Sequence, residues 1–261
     1  MRVVICDNAE TAVARVADRM ADHIRRTPET VLGLATGGTM ECLYACLLDA
    51  HQSGLSFAGV KAFNLDEYVG LASDHPQSYA YYMRHHLFNH VDIDPDQCFI
   101  PSGTVHPKVA SQRYEKHISN DGPIQLQLLG LGHNGHIGFN EPGSSLASKT
   151  REKALSQTTL EKNKRFFSDT EIMPISAITM GIQTISQAEE IVLLALGSEK
   201  STAVKGMIEG PVSAFCPASA LQMHSNVTVF LDDAASSQLS LKNHYIHTES
   251  LQQKREKALL V

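Results

Sequence analysis

Short apolar runs recur along the chain, and most are followed by a loop and then by a longer amphipathic stretch. The apolar runs cover residues 3–6, 31–35, 60–64, 98–100, 124–131, 191–195 and 227–231, and the amphipathic stretches cover residues 9–26, 39–51, 76–90, 109–119 and those after Ser198. This alternation predicts strands and helices that build a largely parallel sheet. We therefore expect a doubly wound, Rossmann-like α/β fold, with a mostly parallel sheet and helices on both faces.

The sequence contains no internal repeat, no low-complexity tract and no Pro/Gly/Ser-rich linker, so we expect a single domain over residues 1–261. Pro76 is expected to open its helix, because its missing N–H is tolerated in a first turn. Residues 150–174 are rich in charge, Ser and Thr and have weak periodicity. An irregular stretch of this length is often functional, and it is a candidate active-site lid.

Composition excludes several classes of protein. With 43% hydrophobic and 19% charged residues the chain is typical of a globular protein, and no run approaches the roughly 18 apolar residues of a membrane span. The formal net charge of -6 disfavours a nucleic-acid or anionic-membrane partner, since such binding depends on clustered Lys and Arg. A small anionic substrate needs only a few aimed donors and stays compatible with this charge.

The five cysteines are odd in number, widely spread and without a CxxC pair, which indicates reduced thiols rather than a disulfide framework. Asp7 also interrupts the amino terminus before a signal-like apolar region can form. Both features predict a cytoplasmic protein.

In parallel α/β sheets, ligands bind at the carboxyl ends of the strands, so the residues after each apolar run are the informative ones. Thr36-Gly-Gly-Thr39 forms a glycine turn between a strand and a helix. Exposed amides and the helix amino terminus suit a phosphate, although an ordinary tight turn is the alternative. Lys200, at another strand end, is either a second phosphate contact or a surface lysine.

Asp66 and Glu67 follow the apolar run of residues 60–64. Adjacent side chains on an extended chain point in opposite directions, so at most one of the two carboxylates is expected to face a pocket. That carboxylate could act as a general base, and a solvated acidic loop is the alternative.

Residues 129–142 contain a literal G-x-G-x-x-G at Gly130, Gly132 and Gly135. A dinucleotide site requires a helix directly after this motif, whereas further breaks follow at Gly138 and Pro142. We therefore do not expect NAD or FAD to bind here.

The same segment holds five polar side chains within nine residues: His133, Asn134, His136, Asn140 and Glu141. An imidazole exchanges protons near neutral pH and is stabilised in its charged form by a carboxylate, so His136 with Glu141 is a candidate acid–base pair. A turn histidine with satisfied hydrogen bonds is the alternative, and His133 is interpreted as structural.

Other histidines and cysteines are interpreted as packing residues. His86 and His90 have the i, i+4 spacing that can bind a metal, but no carboxylate ligand is near them in the sequence, so no metal site is expected. Cys42 and Cys46 share an apolar helix face with Leu43 and Leu47, which favours core packing.

Six motifs resemble, in order and spacing and over nearly the whole chain, the glucosamine-6-phosphate deaminase family. They are Thr36-Gly-Gly-Thr39, Phe63-Asn-Leu-Asp-Glu-Tyr68, His75-Pro-Gln-Ser-Tyr79, Gly135-His-Ile-Gly-Phe-Asn-Glu-Pro142, Arg165-Phe-Phe167 and Gly197-Ser-Glu-Lys200. The resemblance implies that glucosamine-6-phosphate and water are converted to fructose-6-phosphate and ammonia. The steps would be ring opening, aldose–ketose isomerisation and deamination, by a hydrolase of carbon–nitrogen bonds with no metal or organic cofactor.

By this resemblance, His136 is the base that opens the sugar ring, oriented by Glu141 with help from Asn134, and Asp66 is the base for enolisation. The implied phosphate contacts are Gly37, Gly38, Thr39, Arg165 and Lys200. The chain departs from the family pattern at Asn134, where an aspartate is common, and at Ala35 and Met40, where prolines are frequent. Since Asn134 supplies no negative charge, Glu141 alone would carry a carboxylate relay to His136.

Some family members are activated by N-acetylglucosamine-6-phosphate at a subunit interface. Ser144, Ser145, Arg151 and Lys153 resemble part of that allosteric site, whereas the region from Lys242 onward matches it poorly. The partners implied are thus a small amino-sugar phosphate and, as an option, further copies of the chain in a homo-oligomer.

Three alternatives remain at this point. A galactosamine-6-phosphate deaminase would differ in the configuration of one hydroxyl group of its substrate. A 6-phosphogluconolactonase has a similar fold but needs no enolising base, so Asp66 argues against it. A non-catalytic phosphosugar sensor would have no reason to retain His136 together with Glu141.

Overall fold

The computed structural model describes residues 1–164, 167 and 173–258. Its strands are β1 (Arg2–Cys6), β2 (Val31–Leu34), β3 (Lys61–Asn64), β4 (Asp66–Tyr68), β5 (Cys98–Phe99), β6 (Leu126–Gly130), β7 (Arg151–Ala154), β8 (Ser176–Thr179), β9 (Glu190–Ala195) and β10 (Val227–Asp232). Its α-helices are α1 (Ala9–Arg26), α2 (Gly38–Gln52), α3 (Tyr79–His86), α4 (Pro107–Asp121), α5 (Gln157–Asn163), α6 (Ile182–Ile185), α7 (Ser201–Ile208) and α8 (Lys242–Ala258).

Seven strands form one sheet in the order β1-β10-β9-β6-β2-β3-β5, and each neighbouring pair is parallel. The expected α/β fold with a parallel sheet and flanking helices is confirmed. The chain extends the sheet in one direction through β2, β3 and β5, and in the other through β6, β9 and β10. The order therefore reverses between β2 and β6, and ligands of open α/β sheets bind at such a switch point.

The strands of this sheet are apolar because both faces are covered. All six residues of β9 and all six of β10 are buried, as expected for parallel strands packed between helices. α1 shows how a flanking helix is defined by its sequence: Asn8 caps it by accepting a hydrogen bond from the N–H of Thr11 at 2.8 Å, and Val13, Val16 and Met20 face the core.

A second, antiparallel sheet of order β4-β8-β7 was not predicted from the sequence. It begins where the chain leaves β3, so that Asp66 pairs with Thr179 in the first register of β4 and β8. The prediction that residues 150–174 are irregular is wrong for the first part, since β7 and α5 lie there. Residues 165, 166 and 168–172 lie outside the described residues, and a lid function of this segment stays a prediction.

The predicted helix over residues 76–90 is shorter in the structure. α3 starts three residues after Pro76 because the hydroxyl of Ser78 accepts a hydrogen bond from the N–H of Tyr81 at 2.9 Å and so caps a later start. A separate 3-10 turn covers Phe88–His90.

The carboxyl-terminal helix α8 was also not predicted, because its only buried residue is the charged Glu249. Arg2 and Arg15 donate hydrogen bonds to this carboxylate at 2.7 and 3.0 Å, which attaches α8 to β1 and α1. Among the described residues, no helix combines the length and apolar character that crossing a bilayer requires.

Candidate active site

A cavity of about 280 Å³ opens at the carboxyl ends of β2 and β6, at the switch point of the sheet. It gathers polar groups from distant parts of the sequence: Thr36, Gly37, Gly38, Thr39, Asp66, Tyr79, His136 and Lys200. Of the site residues predicted from the sequence, Asp66, His136, the three glycine-turn residues and Lys200 thus come together. Arg165 lies outside the described residues.

The glycine turn after β2 presents backbone amides to this cavity. Gly37 has a φ of 112° and precedes the first residue of α2, a left-handed conformation that favours glycine. Glycine has no side chain with which to cap the helix, and a Cβ added at Gly37 or Gly38 would meet nothing within 4 Å. The turn is therefore open on this side, and the first N–H groups of α2 carry the positive end of the helix dipole, an arrangement suited to an oxyanion.

Asp66 lines the cavity from β4 and is only 5% exposed. Burial raises the pKa of its carboxyl group to about 8, and the neighbouring charge of Glu67 contributes to the increase. Glu67 turns to the other side of the strand, so that one of the two acids faces the cavity. A carboxylate with a pKa near neutrality is suited to moving a proton in both directions.

His136 is held by two partners that both meet its Nδ1 atom. The Oδ1 atom of Asn134 lies at 2.7 Å from Nδ1, and the Oε1 atom of Glu141 lies at 3.3 Å. The amide nitrogen of Asn134 also donates a hydrogen bond to Oε2 of Glu141 at 2.6 Å. Since Nδ1 is engaged in this triad, Nε2 is the ring atom left to act in the cavity.

Glu141 is suited to stabilise a positive charge on His136. Its side chain is 12% exposed, and burial alone would raise the pKa of the carboxyl group. The hydrogen bond and charge of His136, together with the hydrogen bond from Asn134, outweigh burial and lower this pKa to about 2. The carboxylate therefore stays ionised over the whole physiological range.

The turn of residues 132–136 brings the triad to the cavity. The N–H of Gly132 donates to the carbonyl of His136 at 2.9 Å, and Gly135 adopts a φ of 82°. No α-helix follows the G-x-G-x-x-G pattern among residues 131–150, all of which are described. The expectation that no helix follows this motif is thereby confirmed, and a dinucleotide site requires that helix.

Lys200 reaches the cavity from the far side of the switch point. It ends a 3-10 turn, Ser198–Lys200, that follows β9. The N–H of Gly197 donates to the carboxylate of Asp232 at 3.0 Å, which fixes the start of this turn against β10. A lysine here adds a positively charged side chain to the cavity that the glycine turn also lines.

A family model described as glucosamine-6-phosphate isomerases/6-phosphogluconolactonase matches residues 7–230. The chain belongs to this family. It is 50% identical over 251 residues to a glucosamine-6-phosphate deaminase of Hahella chejuensis, with 96% of each chain covered. It is 48% identical over 256 residues to a glucosamine-6-phosphate deaminase of Cellvibrio japonicus, with 97% of each covered.

Solved structures in the family agree with the fold. A monomeric glucosamine-6-phosphate deaminase superposes with a TM-score of 0.87 at 45% identity, covering 91% of this chain and 99% of that one. A 6-phosphogluconolactonase of Trypanosoma cruzi superposes with a TM-score of 0.72 at 20% identity, covering 92% and 97%. At that identity the second likeness shows the fold alone.

The four residues that resemble the allosteric site of some family members do not line the cavity. Ser144 is 2% exposed, and its N–H donates to the carbonyl of Glu141 at 3.0 Å. Arg151 on β7 donates to Oδ1 of Asn140 at 2.6 Å. Ser145 is exposed and Lys153 half-buried, and a regulatory role of the four stays a prediction.

Sequence reasoning gave no role to two residues that contact the site. Tyr79 was part of a motif, but its position beside Asp66 depends on the start of α3. Thr179 accepts a hydrogen bond from the N–H of Phe139 at 3.1 Å and pairs with Asp66 across the small sheet. The sequence signal for Thr179 would have been the strand pattern of residues 176–179. Among the described residues, no group of three or more His, Cys, Asp or Glu side chains could hold a metal ion.

Proposed function

We propose that the chain is a glucosamine-6-phosphate deaminase, which converts glucosamine-6-phosphate and water to fructose-6-phosphate and ammonia. The observation that carries the proposal is the meeting of two different proton carriers, Asp66 and the His136 triad, in one cavity beside a glycine turn. The names of the relatives with about 50% identity over nearly the whole chain support the same reaction.

The phosphate group is assigned to the glycine turn and to Lys200. Gly38 and Thr39, at the start of α2, and Lys200 all line the cavity. Aimed amides and a cation are the donors that a phosphate oxygen takes up. Arg165 is proposed as a further contact on the strength of its motif.

Ring opening is assigned to His136. Its Nε2 atom takes the proton of the C1 hydroxyl group and returns a proton to the ring oxygen, so that the aldehyde forms. The imidazolium that exists between these two transfers is stabilised by Glu141, whose carboxylate lies 3.3 Å from Nδ1. Asn134 holds the ring and the carboxylate in register through a hydrogen bond to each.

Isomerisation is assigned to Asp66. Its carboxylate removes the C2 proton, which the neighbouring C1 carbonyl has made acidic, while the C2 ammonium group gives one proton to the C1 oxygen. The enolamine that results takes a proton at C1 from the carboxylic acid of Asp66 and becomes the C2 iminium. Water hydrolyses this iminium, which releases ammonia and leaves the ketose. The protonated amine of the substrate lies on C2, so its positive charge favours the ionised form of Asp66 when the substrate binds.

The deciding assay incubates the purified protein with glucosamine-6-phosphate and measures ammonia and fructose-6-phosphate. Galactosamine-6-phosphate and 6-phosphogluconolactone are tested in parallel, because these are the substrates of the two enzyme alternatives. Equal release of ammonia and ketose from the glucosamine compound is expected. Absence of ammonia, or faster hydrolysis of the lactone, would refute the proposal.

Three further predictions belong to this proposal. The chemistry assigned above is acid–base chemistry and requires no metal or organic cofactor. All five cysteines are free thiols, which is consistent with the proposed cytoplasmic location. Activation by N-acetylglucosamine-6-phosphate in a homo-oligomer would give a sigmoidal rate curve that the activator abolishes, whereas the 45% identical relative is described as monomeric.

A further inference from the structure

Glu67 is only 2% exposed, and its carboxylate accepts hydrogen bonds from backbone N–H groups. Its Oε1 atom accepts hydrogen bonds from the N–H groups of Tyr68 and Tyr79, and its Oε2 atom accepts one from the N–H of Ala80, all three at 2.9 Å. The N–H groups of a first helical turn have no partner within the helix and carry the positive end of its dipole. Glu67 therefore ties the start of α3 to the strand that carries Asp66.

Tyr79, whose backbone is held in this way, turns its side chain into the cavity. Its ring stacks on Phe139 with ring centroids 6.1 Å apart, and it packs at a tilt against the ring of Tyr68, with centroids 4.9 Å apart. Its hydroxyl group donates to the hydroxyl group of Tyr68 at 3.2 Å. Tyr79 lines the same cavity as Asp66 and His136, so it is placed to pack against a bound sugar.

We infer that Glu67 is a positioning residue, whose bonds to α3 set Tyr79 against Asp66 where the substrate carbons react. The inference rests on the proposed deaminase function. Its physical basis is that the side chain of Glu67 joins β4, which presents Asp66 to the cavity, to α3, which presents Tyr79. An error of about 1 Å in such a placement can cost about 100-fold in rate.

Glu67 also acts on Asp66 through its negative charge. The charged and titratable groups around Asp66 in the described residues are Glu67 on β4, Tyr79 on α3, Tyr114 on α4, and His136 and Lys200 across the cavity. Arg84 of α3 in turn acts on Glu67. Burial is the main cause of the raised pKa of Asp66, and the charge of Glu67 adds to it. Neutralising Glu67 therefore lowers the pKa of Asp66.

The test compares Glu67→Gln with Ser78→Ala, because both residues cap the same helix. The hydroxyl group of Ser78 accepts a hydrogen bond from the N–H of Tyr81 at 2.9 Å and from there does not reach β4. Glu67→Gln keeps the size of the side chain but loses its charge and one of its two acceptor oxygens. We expect Glu67→Gln to lower kcat/KM by about 10- to 100-fold, and Ser78→Ala by less than about threefold.

The pH profile separates positioning from a loss of stability. The acid limb of kcat/KM should move to lower pH in Glu67→Gln and stay in place in Ser78→Ala. If Glu67 acts through Tyr79, Tyr79→Leu should cause a similar loss, and the double variant should lose little more than either single variant. Tyr79→Leu also carries the test alone if Glu67→Gln does not fold, since it leaves the backbone bonds to Glu67 in place.

The outcomes are distinguishable from those of the main proposal. Wild-type protein that releases no ammonia refutes the deaminase function itself. Active wild-type protein with equal losses in Glu67→Gln and Ser78→Ala refutes the positioning role, as does an acid limb that does not move. Losses that multiply in the double variant would show that Glu67 and Tyr79 act independently.

Discussion

The side-chain oxygen of Asn134 lies closer to His136 than the carboxylate of Glu141 does, at 2.7 Å against 3.3 Å from Nδ1. The neutral amide is therefore the nearer partner of the imidazole, while the charge stands slightly farther away. The amide also binds Glu141 at 2.6 Å, so it fixes the carboxylate in place. Orientation and charge stabilisation are thus divided between two side chains.

This division predicts unequal losses. Glu141→Gln removes the only negative charge of the triad, so the imidazolium formed during ring opening loses its stabilisation, and kcat/KM should fall by about 100- to 1,000-fold. Asn134→Ala should cost only about tenfold, because Glu141 can still reach Nδ1. Steady-state kinetics with glucosamine-6-phosphate checks both values, and comparable losses would contradict the division of roles.

The raised pKa of Asp66 predicts an unusual pH dependence. A general base must be ionised, and burial raises the pKa of this carboxyl group to about 8 in the free protein. The quantity kcat/KM reports the free enzyme and should rise with pH up to about 8, whereas kcat reports the complex. The ammonium group of the substrate stabilises the ionised base, so the acid limb of kcat should lie at least about one pH unit lower. If the acid limbs of kcat and of kcat/KM both lie near pH 4, Asp66 is not the titrating base.

The same shift predicts that Asp66 destabilises the fold at neutral pH. A carboxyl group whose pKa is higher in the folded protein stabilises it below pH 3.8, and this contribution is lost as the pH rises towards 8. Asp66→Asn carries no charge and should be more stable than wild type by several kcal/mol, up to about 5 kcal/mol, at pH 8, with little difference at pH 4. Urea unfolding at both pH values measures the difference in free energy of unfolding between the variant and the wild type. Asp49→Asn, at an exposed position of α2, is the control, and its free energy of unfolding should equal that of the wild type at both pH values.

Lys200 should affect binding more than chemistry. Lys200→Met removes one positive charge from the proposed phosphate site while the reacting groups stay in place, so KM should rise by about tenfold or more with a smaller change in kcat. Inorganic phosphate, tested as a competitive inhibitor, should inhibit Lys200→Met more weakly than it inhibits the wild type. Lys205→Met is the matched control, because Lys205 lies on α7 and donates to Ser240 instead. A fall in kcat with unchanged KM would argue against phosphate binding by Lys200.

The large sheet could be predicted from the sequence because its signals are local. Each buried strand is a short apolar run, and the period of two correctly separates Asp66 from Glu67. The small sheet could not be predicted in this way, because β4 consists of three residues that include two acids. Its pairing with β8 joins Asp66 to Thr179, far apart in the sequence.

The same distinction holds within the site. His136 and Glu141 are visible as a cluster in the sequence, but which partner lies nearer to the imidazole depends on the turn geometry at Gly135. The start of α3 is set locally by Ser78, but the attachment of Tyr79 to β4 depends on Glu67, which lies in a different element, so no local pattern reveals it. Contacts that form between two different elements could therefore not be predicted from the sequence.

Gly138 provides a test of the space around Asp66. It has a φ of 54°, and a Cβ added there would lie 2.7 Å from Oγ1 of Thr179 and 3.3 Å from Oδ2 of Asp66. Gly143→Ala is the matched control: Gly143 also has a positive φ, 86°, but a Cβ there would meet nothing within 4 Å. The left-handed conformation alone costs a residue with a side chain roughly 1–2 kcal/mol, so both variants should lose about that much stability.

Only Gly138→Ala should lose activity in addition, because only its methyl group must displace the carboxylate or the threonine that pairs with it. We expect kcat to fall by about tenfold or more in Gly138→Ala and to stay within about twofold of wild type in Gly143→Ala. Measuring the free energy of unfolding by urea alongside kcat separates the two effects. If the two variants lose equal stability and equal activity, crowding at Asp66 does not limit the reaction, and the carboxylate tolerates displacement.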